Sequence, residues 1–436
     1  MNPTERETAP NAWGLALALA MVHLVSSIDR HLLALVLTAI KGDLQLSDTQ
    51  LGFLQGTAYV LLYAVAVIPA GMLVDRFDRR RIVMAALITW SLGTAFCALA
   101  GSFFELTLAR MVVGLGQAAL VPAATSLIAD GFGRGRMGRP IAVFTSAATF
   151  GRGLAFFAGG LFLAWLGVSA TVPVFGAVHP WRLLFLSSLI LNVVVLVLLA
   201  VLTAPQRGPK RGKDRLRLCG LLADWRLYLA YFGCAAATIL AVQVVAAWAP
   251  TLLVRSFGLS AAASGVLVGP IVICFGPAGN LLGGWSLDRL TARGLRAAPA
   301  IVVALALTLA MIAAPIVCLA ASVLPAAAGL AALTFCLGAA TPAGLVAIQQ
   351  LTPPALRGRV TGGFILGVTL ISLGIGPVMV GWLSDHVFAG PAALSDALLA
   401  TLFVVGTLGV ASALAAGRLE AAASMPTGAN PREAAS

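Results

Sequence analysis

Twelve apolar runs, each long enough to cross a lipid bilayer, constrain this chain more tightly than any motif within it. They cover residues 12–39, 51–74, 82–101, 106–129, 140–167, 182–203, 227–254, 262–286, 298–322, 325–350, 360–384 and 395–417. A spanning helix needs ~20 mostly apolar residues. Hydrocarbon offers backbone N–H and C=O groups no water, so a spanning segment is either helical or part of a closed barrel. Barrel strands read as ~10-residue segments of alternating polarity, whereas these runs are continuous. Pro69, Pro122, Pro250, Pro270, Pro277 and Pro377 fall inside them, as membrane helices tolerate when neighbours satisfy the freed backbone groups. A content of 60% hydrophobic and 10% charged residues excludes an ordinary soluble domain. The first run is too long for the apolar region of a cleaved signal and reads as retained.

The net charge of +12 would suit nucleic acid if it lay on one soluble face with aromatics interleaved. It does not. Most lysines and arginines sit in alternate connections, at 75–81, 130–139, 204–226, 288–297 and 351–359, while the opposite side holds Lys41, Arg182 and Arg255. This positive-inside pattern puts both termini in the cytoplasm and the chain in the inner (cytoplasmic) membrane. Cys97, Cys234, Cys274, Cys318 and Cys336 sit singly inside apolar runs without C-x-x-C spacing, and the four histidines are scattered. No metal site and no cofactor is therefore expected. An enzyme would need a nucleophile–base pair, metal ligands or a phosphate-cradling loop, and none is legible. With no G-x-x-x-x-G-K-[ST] loop, ATP hydrolysis is excluded as the drive. A sensor would need a soluble output domain, for which no connection is long enough.

The stretch GMLVDRFDRRR at 71–81 returns as GWSLDRLTARGLR at 284–296. Both copies of Gly-x-x-x-Asp-Arg fall at the cytoplasmic end of the second span in a group of six, about half a chain length apart. The chain thus reads as two pseudo-symmetric six-helix halves, 1–203 and 227–417, with a basic linker at 204–226 and a cytoplasmic tail at 418–436. Duplicated six-helix bundles suit secondary transporters, in which substrate sits near the midplane and the halves rock against each other.

Gly71, Asp75, Arg76 and the arginines after them, Arg79 first, resemble the loop motif of the major facilitator superfamily. Gly284, Asp288 and Arg289 repeat it. More narrowly, IDRHLLALVLTAIKGDLQLSDTQLGFLQGTAY at 28–59, LARMVVGLGQAALVPAATSLIAD at 108–130, WAPTLLVRSFGLS at 248–260 and PPALRGRVTGGFILGVTLISLGIGPVMVGWLSD at 353–385 are similar to bacterial members of the Spinster-like branch. The anion:cation symporter group, which shares the first two stretches, comes second. As a latch, Asp75 would accept from a helix N-terminus or an arginine and fasten one conformation; plain positive-inside anchoring is enough for Arg80 and Arg81. Asp78 stands where most of the superfamily has glycine, and Asp also tolerates a left-handed turn there.

An ionised group inside a span is costly and marks a functional candidate. Here these are Asp29, Arg30, Arg110 and Arg152, with His23 and His31 nearby, all in the first half. One acid cannot pair with three arginines, so an anion, which the substrate can supply, is expected among them. His23, Ser26, Ser27 and Arg30 follow helical spacing and form one expected polar stripe with Asp29 at its edge. Arg110, Gly114 and Gln117 share a face of span 4, where the small Gly114 admits a partner helix or substrate. The resemblance implies a proton-coupling site at Asp29, Arg110 and position 117. Position 117 is glutamine and cannot titrate, which leaves coupling to Asp29 alone or absent. The other reading of Asp29 and Arg110 is a static salt bridge between spans 1 and 4.

Arg152, near the midplane of span 5, suits bidentate binding of a carboxylate or phosphate; the alternative is an internal pair with Asp29. The second half offers only neutral polar groups, Gln243, Trp248, Asn280, Thr341, Thr369 and Ser372, which suit substrate orientation or helix packing. The expected substrate-binding set is therefore Arg30, Arg110, Gln117, Arg152, Gln243, Trp248 and Asn280. The expected function is secondary active transport of an organic or amphipathic anion, proton-coupled through Asp29. Gln117 keeps an uncoupled facilitator or an exchanger as the rival. Membrane lipids and a small anionic substrate are the expected partners, and the default is a monomer.

Overall fold

The computed structural model describes residues 12–132, 138–167, 170–172, 176–201, 224–353 and 356–424. The first half contains α1 (Ala12–Leu44), α2 (Asp48–Gln55), α3 (Thr57–Arg76), α4 (Arg79–Leu99), α5 (Phe103–Gln117), α6 (Leu120–Gly131), α7 (Gly138–Leu166) and α8 (Pro180–Val201). The second contains α9 (Trp225–Phe257), α10 (Ala261–Ala292), α11 (Ala298–Cys318), α12 (Val323–Leu351), α13 (Arg357–His386) and α14 (Ala393–Ser424). Helices α2 with α3, and α5 with α6, each make one interrupted crossing, so the described residues hold twelve helical segments of membrane-spanning length and composition. All-α architecture in two six-span halves was the expectation. Between α7 and α8, β1 (Ala170–Val172) and β2 (Gly176–Val178) pair antiparallel.

Capping residues, not the ends of apolar runs, set several helix boundaries. Ser47 accepts from Gln50 N, and the Gln50 side chain returns the bond to Ser47 N, which starts α2 ahead of its apolar run. Ser102 and Ser260 cap α5 and α10 by accepting from Glu105 N and Ala263 N, without the return bond. Most of the expected basic linker lies outside the described residues, but its last two, Trp225 and Arg226, already belong to α9. Residues 418–424 of the expected tail continue α14, and the remainder of that tail lies outside the described residues.

Asp78 overturns one expectation. Its backbone is extended (φ −64°, ψ 115°), and its side chain caps α4 by accepting from Arg80 N and Arg81 N. A carboxylate there satisfies two orphan amides at a positive helix end, so no left-handed turn is required.

Among the described residues, close contact between the halves runs from one end toward the middle of the spans. Gly52 and Gly56 of the second crossing lie against the Pro377 and Leu373 carbonyls of α13, and Gly160 of α7 lies against Ala262 and Val266 of α10, so close that a Cβ at any of them would collide. At the other end, the end of the basic connections, Gly71, Gly284, Gly362 and Gly363 have nothing within 4 Å of where a Cβ would stand. Polar groups reinforce the joined, outer end. Asp48 is 3% exposed and takes a bidentate pair from Arg255 at 2.6 and 2.7 Å. It also accepts from Lys41 Nζ at 2.5 Å and Ser384 Oγ at 2.9 Å. Asp385 in turn accepts from Asp48 N at 3.1 Å and from Thr49 N and Oγ1 at 2.6 Å, which sets an anion at the N-terminus of α2. Arg255, counted from sequence only as an outer-side charge, is thus a fastening between halves, and Lys41 supports the same carboxylate from within the first half.

Two outcomes follow from this packing. Arg255→Gln should weaken the outer closure by on the order of 2 kcal/mol, the scale of a charged hydrogen bond. It should read out as faster maleimide labelling of a cysteine introduced at buried Thr251; unchanged labelling would leave the closure to the apolar seams. Gly114 meets the Tyr59 carbonyl so closely that even a methyl group cannot fit. Gly114→Ala should therefore lower the melting temperature, at a cost of about 1–3 kcal/mol, while Gly71→Ala should leave it unchanged.

Candidate functional site

Successive residues of a helix point about 100° apart, and α1 uses this to send its polar side chains in three directions instead of one stripe. Toward α7, His23 Nδ1 lies 2.8 Å from the Phe144 carbonyl and Ser27 Oγ donates to the Ala148 carbonyl at 2.6 Å. Toward α8, Asp29 accepts from Asn192 Nδ2 at 2.8 Å, and Trp90 Nε1 of α4 donates to Asn192 Oδ1 at 3.4 Å. Toward α5, Arg30 donates to Gln117 Oε1 at 2.8 Å through Nη2 and 3.3 Å through Nε.

Gln117 is fully engaged. Its Oε1 also accepts from Tyr59 Oη at 3.0 Å, and its Nε2 donates to the Ser26 carbonyl at 3.0 Å. Donors on one side and a carbonyl on the other fix the orientation of the amide. A protonated glutamic acid would meet the same pattern; an ionised one would press an oxygen against the Ser26 carbonyl. Tyr59 closes the cluster with its ring, whose centroid lies 4.7 Å from Arg30 Cζ and 5.8 Å from Arg110 Cζ.

Arg110 does not form the expected bridge to Asp29. Its Nε donates to the Leu54 carbonyl at 3.2 Å and its Nη2 to the Arg30 carbonyl at 3.4 Å. Among the described residues Asp29 enters no ion pair within 4.0 Å. Asp29 and Arg110 are each 1% exposed, and Asp29 Oδ1 and Arg110 Nη1 are buried without a hydrogen-bond partner. The static bridge between spans 1 and 4 is therefore absent, because Asn192 holds the carboxylate toward α8. The alternative pairing of Asp29 with Arg152 is absent for the same reason.

A cavity of about 230 Å³ opens between the halves. Its polar lining is Thr149 and Arg152 from α7, Gln243 from α9, Asn280 from α10, and Thr334 and Thr341 from α12. Arg152, Gln243 and Asn280, separated widely in the chain, are thereby brought to one place, and Arg152 Nε is buried without a hydrogen-bond partner. None of the ion pairs among the described residues includes Arg152. Phe156 lines the same cavity, and the His31 ring packs edge-on to it at 6.3 Å between centroids. This contact links the cavity to the turn of α1 that carries Arg30.

The other members of the expected substrate set lie elsewhere. Arg30, Arg110 and Gln117 form the separate cluster with Tyr59, outside the cavity lining. Trp248 is fully buried and donates through Nε1 to the Pro377 carbonyl at 3.1 Å, so it packs span 7 onto span 11. The sequence reading also missed Asn192, Tyr59, Thr149 and Thr334. Asn192 left a signal as an amide inside the apolar run LILNVVVLVLLA.

At the basic end, Arg79 pairs with Asp130 at the end of α6, and Arg80 donates to the Ala200 carbonyl of α8. These bonds stay within the first half. The Asp75 side chain lies outside what is described, and Arg76, Asp288 and Arg289 are exposed. Among the described side chains, neither copy of the motif bridges the halves, in keeping with their separation at that end.

The Major Facilitator Superfamily profile matches residues 19–377. An "MFS-type efflux pump" of Mycolicibacterium smegmatis is 28% identical over 410 residues, 93% of either chain. A "Probable L-galactonate transporter" of Escherichia coli is 26% identical over 294 residues, 64% of this chain and 62% of its own length. Among solved structures, a bacterial homologue of the human lysosomal transporter Spinster, in an inward-facing and occupied conformation, superposes with a TM-score of 0.80 at 25% identity, covering 94% of this chain and 98% of its own. Twelve spans, a cavity between two halves, the paired loop motifs and these likenesses converge: the chain is a multi-pass inner-membrane transporter, not an enzyme, and belongs to the Major Facilitator Superfamily.

Proposed function

We propose that the chain is a secondary active transporter that carries an organic or amphipathic anion by alternating access, with the halves 1–203 and 227–417 rocking about the cavity. The observation that carries this reading is Arg152, whose Nε is buried without a hydrogen-bond partner and which has no ion pair among the described residues, in a cavity whose other polar groups are neutral. An unpaired charge at that depth is costly, and a carboxylate or phosphate on the substrate satisfies it bidentately. Gln243, Asn280, Thr334 and Thr341 supply neutral hydrogen bonds for a hydroxylated part of the substrate, while Phe156, Val268 and Leu337 accept an apolar part. The similarity to a probable L-galactonate transporter fits a carboxylate among the candidates.

Asp29 is the protonatable group in this reading. Asn192 bonds only its Oδ2, so a proton can occupy Oδ1 while that bond is kept. Charge neutralisation at Asp29 changes the field around Arg110 and Arg30, and a difference in proton affinity between the two end states is what couples flux to a gradient. The engaged amide of Gln117 favours the rival reading, because that position stays in the hydrogen-bond pattern of a protonated acid at every pH. An uncoupled facilitator or exchanger would then result.

Binding and flux separate these readings. Ligands are first found by thermal shift among carboxylates, phosphates and lysolipids. Arg152→Ala should then weaken an anionic ligand by roughly 1–3 kcal/mol and leave a neutral one unchanged; equal loss for both would remove Arg152 from substrate contact. In proteoliposomes, wild-type flux should follow a pH gradient and Asp29→Asn flux should not. Indifference to pH in both proteins would decide for the facilitator or exchanger.

A further inference from the structure

In the second copy of the loop motif Arg289 and Arg293 stand where the first has Arg76 and Arg80. In the first, Arg79 and Arg80 are taken up by Asp130 and the Ala200 carbonyl. In the second, Arg289 and Arg293 are exposed, and none of the ion pairs among the described residues includes either. Both line a cavity of about 410 Å³ between α10, α11 and α12, lined by different residues from the cavity that contains Arg152.

Apart from Ser286, the remaining wall of this second cavity is largely apolar. Leu282, Ile301 and Leu305 are exposed there at 43%, 42% and 61%, with Phe335 behind them. Trp285 lies beside the arginines, and Arg289 Cζ stands 5.1 Å from its ring centroid. Leu282 to Arg293 covers the last three turns of α10, and Ile301 to Leu309 the first turns of α11, so the groove opens on the outer surface of one half near its basic end. By the positive-inside rule that end meets the cytoplasmic leaflet. Tryptophan and arginine at headgroup depth, with leucine and isoleucine deeper, follow the order of chemistry along a phospholipid, and a basic pocket between spans on this side suits an anionic headgroup. The cavity volume lies within the ~300–1,000 Å³ typical of small-molecule sites.

We propose that this groove is a binding site for an anionic phospholipid of the cytoplasmic leaflet, with the headgroup phosphate held by Arg289 and Arg293 and one acyl chain along Leu282, Ile301 and Leu305. The site lies within a single half and is independent of the substrate reading above.

Native mass spectrometry of the full-length protein, with phosphatidylglycerol or phosphatidylcholine added, tests this. Wild type should retain phosphatidylglycerol preferentially, and Arg289→Ala with Arg293→Ala should reduce the bound fraction at least fivefold. Arg139→Ala with Arg226→Ala, an equal loss of exposed charge at the same end, should leave it unchanged. Leu305→Trp, which fills the groove and keeps both arginines, should reduce it as well and provides a second variant if the arginine pair compromises folding. Equal loss in the two arginine pairs would overturn the site in favour of general surface charge. Equal retention of phosphatidylcholine, or indifference to Leu305→Trp, would overturn it too. Inorganic phosphate at the same concentration should not displace the lipid; displacement would make this a simple anion site and overturn the assignment to lipid.

Discussion

The cost of an ionised group in hydrocarbon governs this structure. Inside the spans each charge has to be compensated by a partner, by backbone carbonyls, by an aromatic face or by something that arrives from outside. Arg110 takes two carbonyls and the face of Tyr59. Arg30 takes Gln117 and the same ring, and Asp29 takes Asn192. Arg152 is compensated by none of these means among the described residues and sits in a cavity. That remaining charge is the one to which the proposed function assigns an anionic substrate.

Alternating access adds a second requirement, since contacts between the halves must hold one state without making the other unreachable. The structure meets it by distributing the closure. Glycine seams between the second crossing and α13, and between α7 and α10, bring backbones together at the outer end. The ring of Lys41, Asp48, Arg255, Ser384 and Asp385 is laid over those seams. Each bond is worth only a few kcal/mol at most, and solvent entering an opened end would rehydrate the charges. At the basic end Arg79 pairs with Asp130 and Arg80 donates to the Ala200 carbonyl, both partners in the first half.

The α1 helix connects the cavity to the buried charges. Its His31 ring touches Phe156 of the cavity wall, the adjacent Arg30 is bonded to Gln117, and Asp29 faces α8. Occupancy of the cavity and the state of the buried cluster thus meet on one helical turn. A glutamine in that cluster supplies the hydrogen-bond geometry of a protonated acid without its titration.

Hydropathy, charge asymmetry and the repeated Gly-x-x-x-Asp-Arg were sufficient for the twelve spans, the two halves and the superfamily, because lipid permits few ways to satisfy a backbone and these signals are local in sequence. Arg152, Gln243 and Asn280 were legible as candidates because polar groups in apolar runs stand out individually. Which of them share a cavity was decided by tertiary structure. Trp248 looked equally suited, yet packing turns its N–H to the Pro377 carbonyl. Asp29 and Arg110 looked like a pair, yet Asn192, 163 residues from Asp29 in sequence, claims the carboxylate. Asp48 and Arg255 gave no hint of each other across 207 residues. Sequence by itself determined what must lie in the membrane and which charges needed an answer; only the packing of helices decided which answer each received, because partners in space are set by crossing geometry and not by distance along the chain.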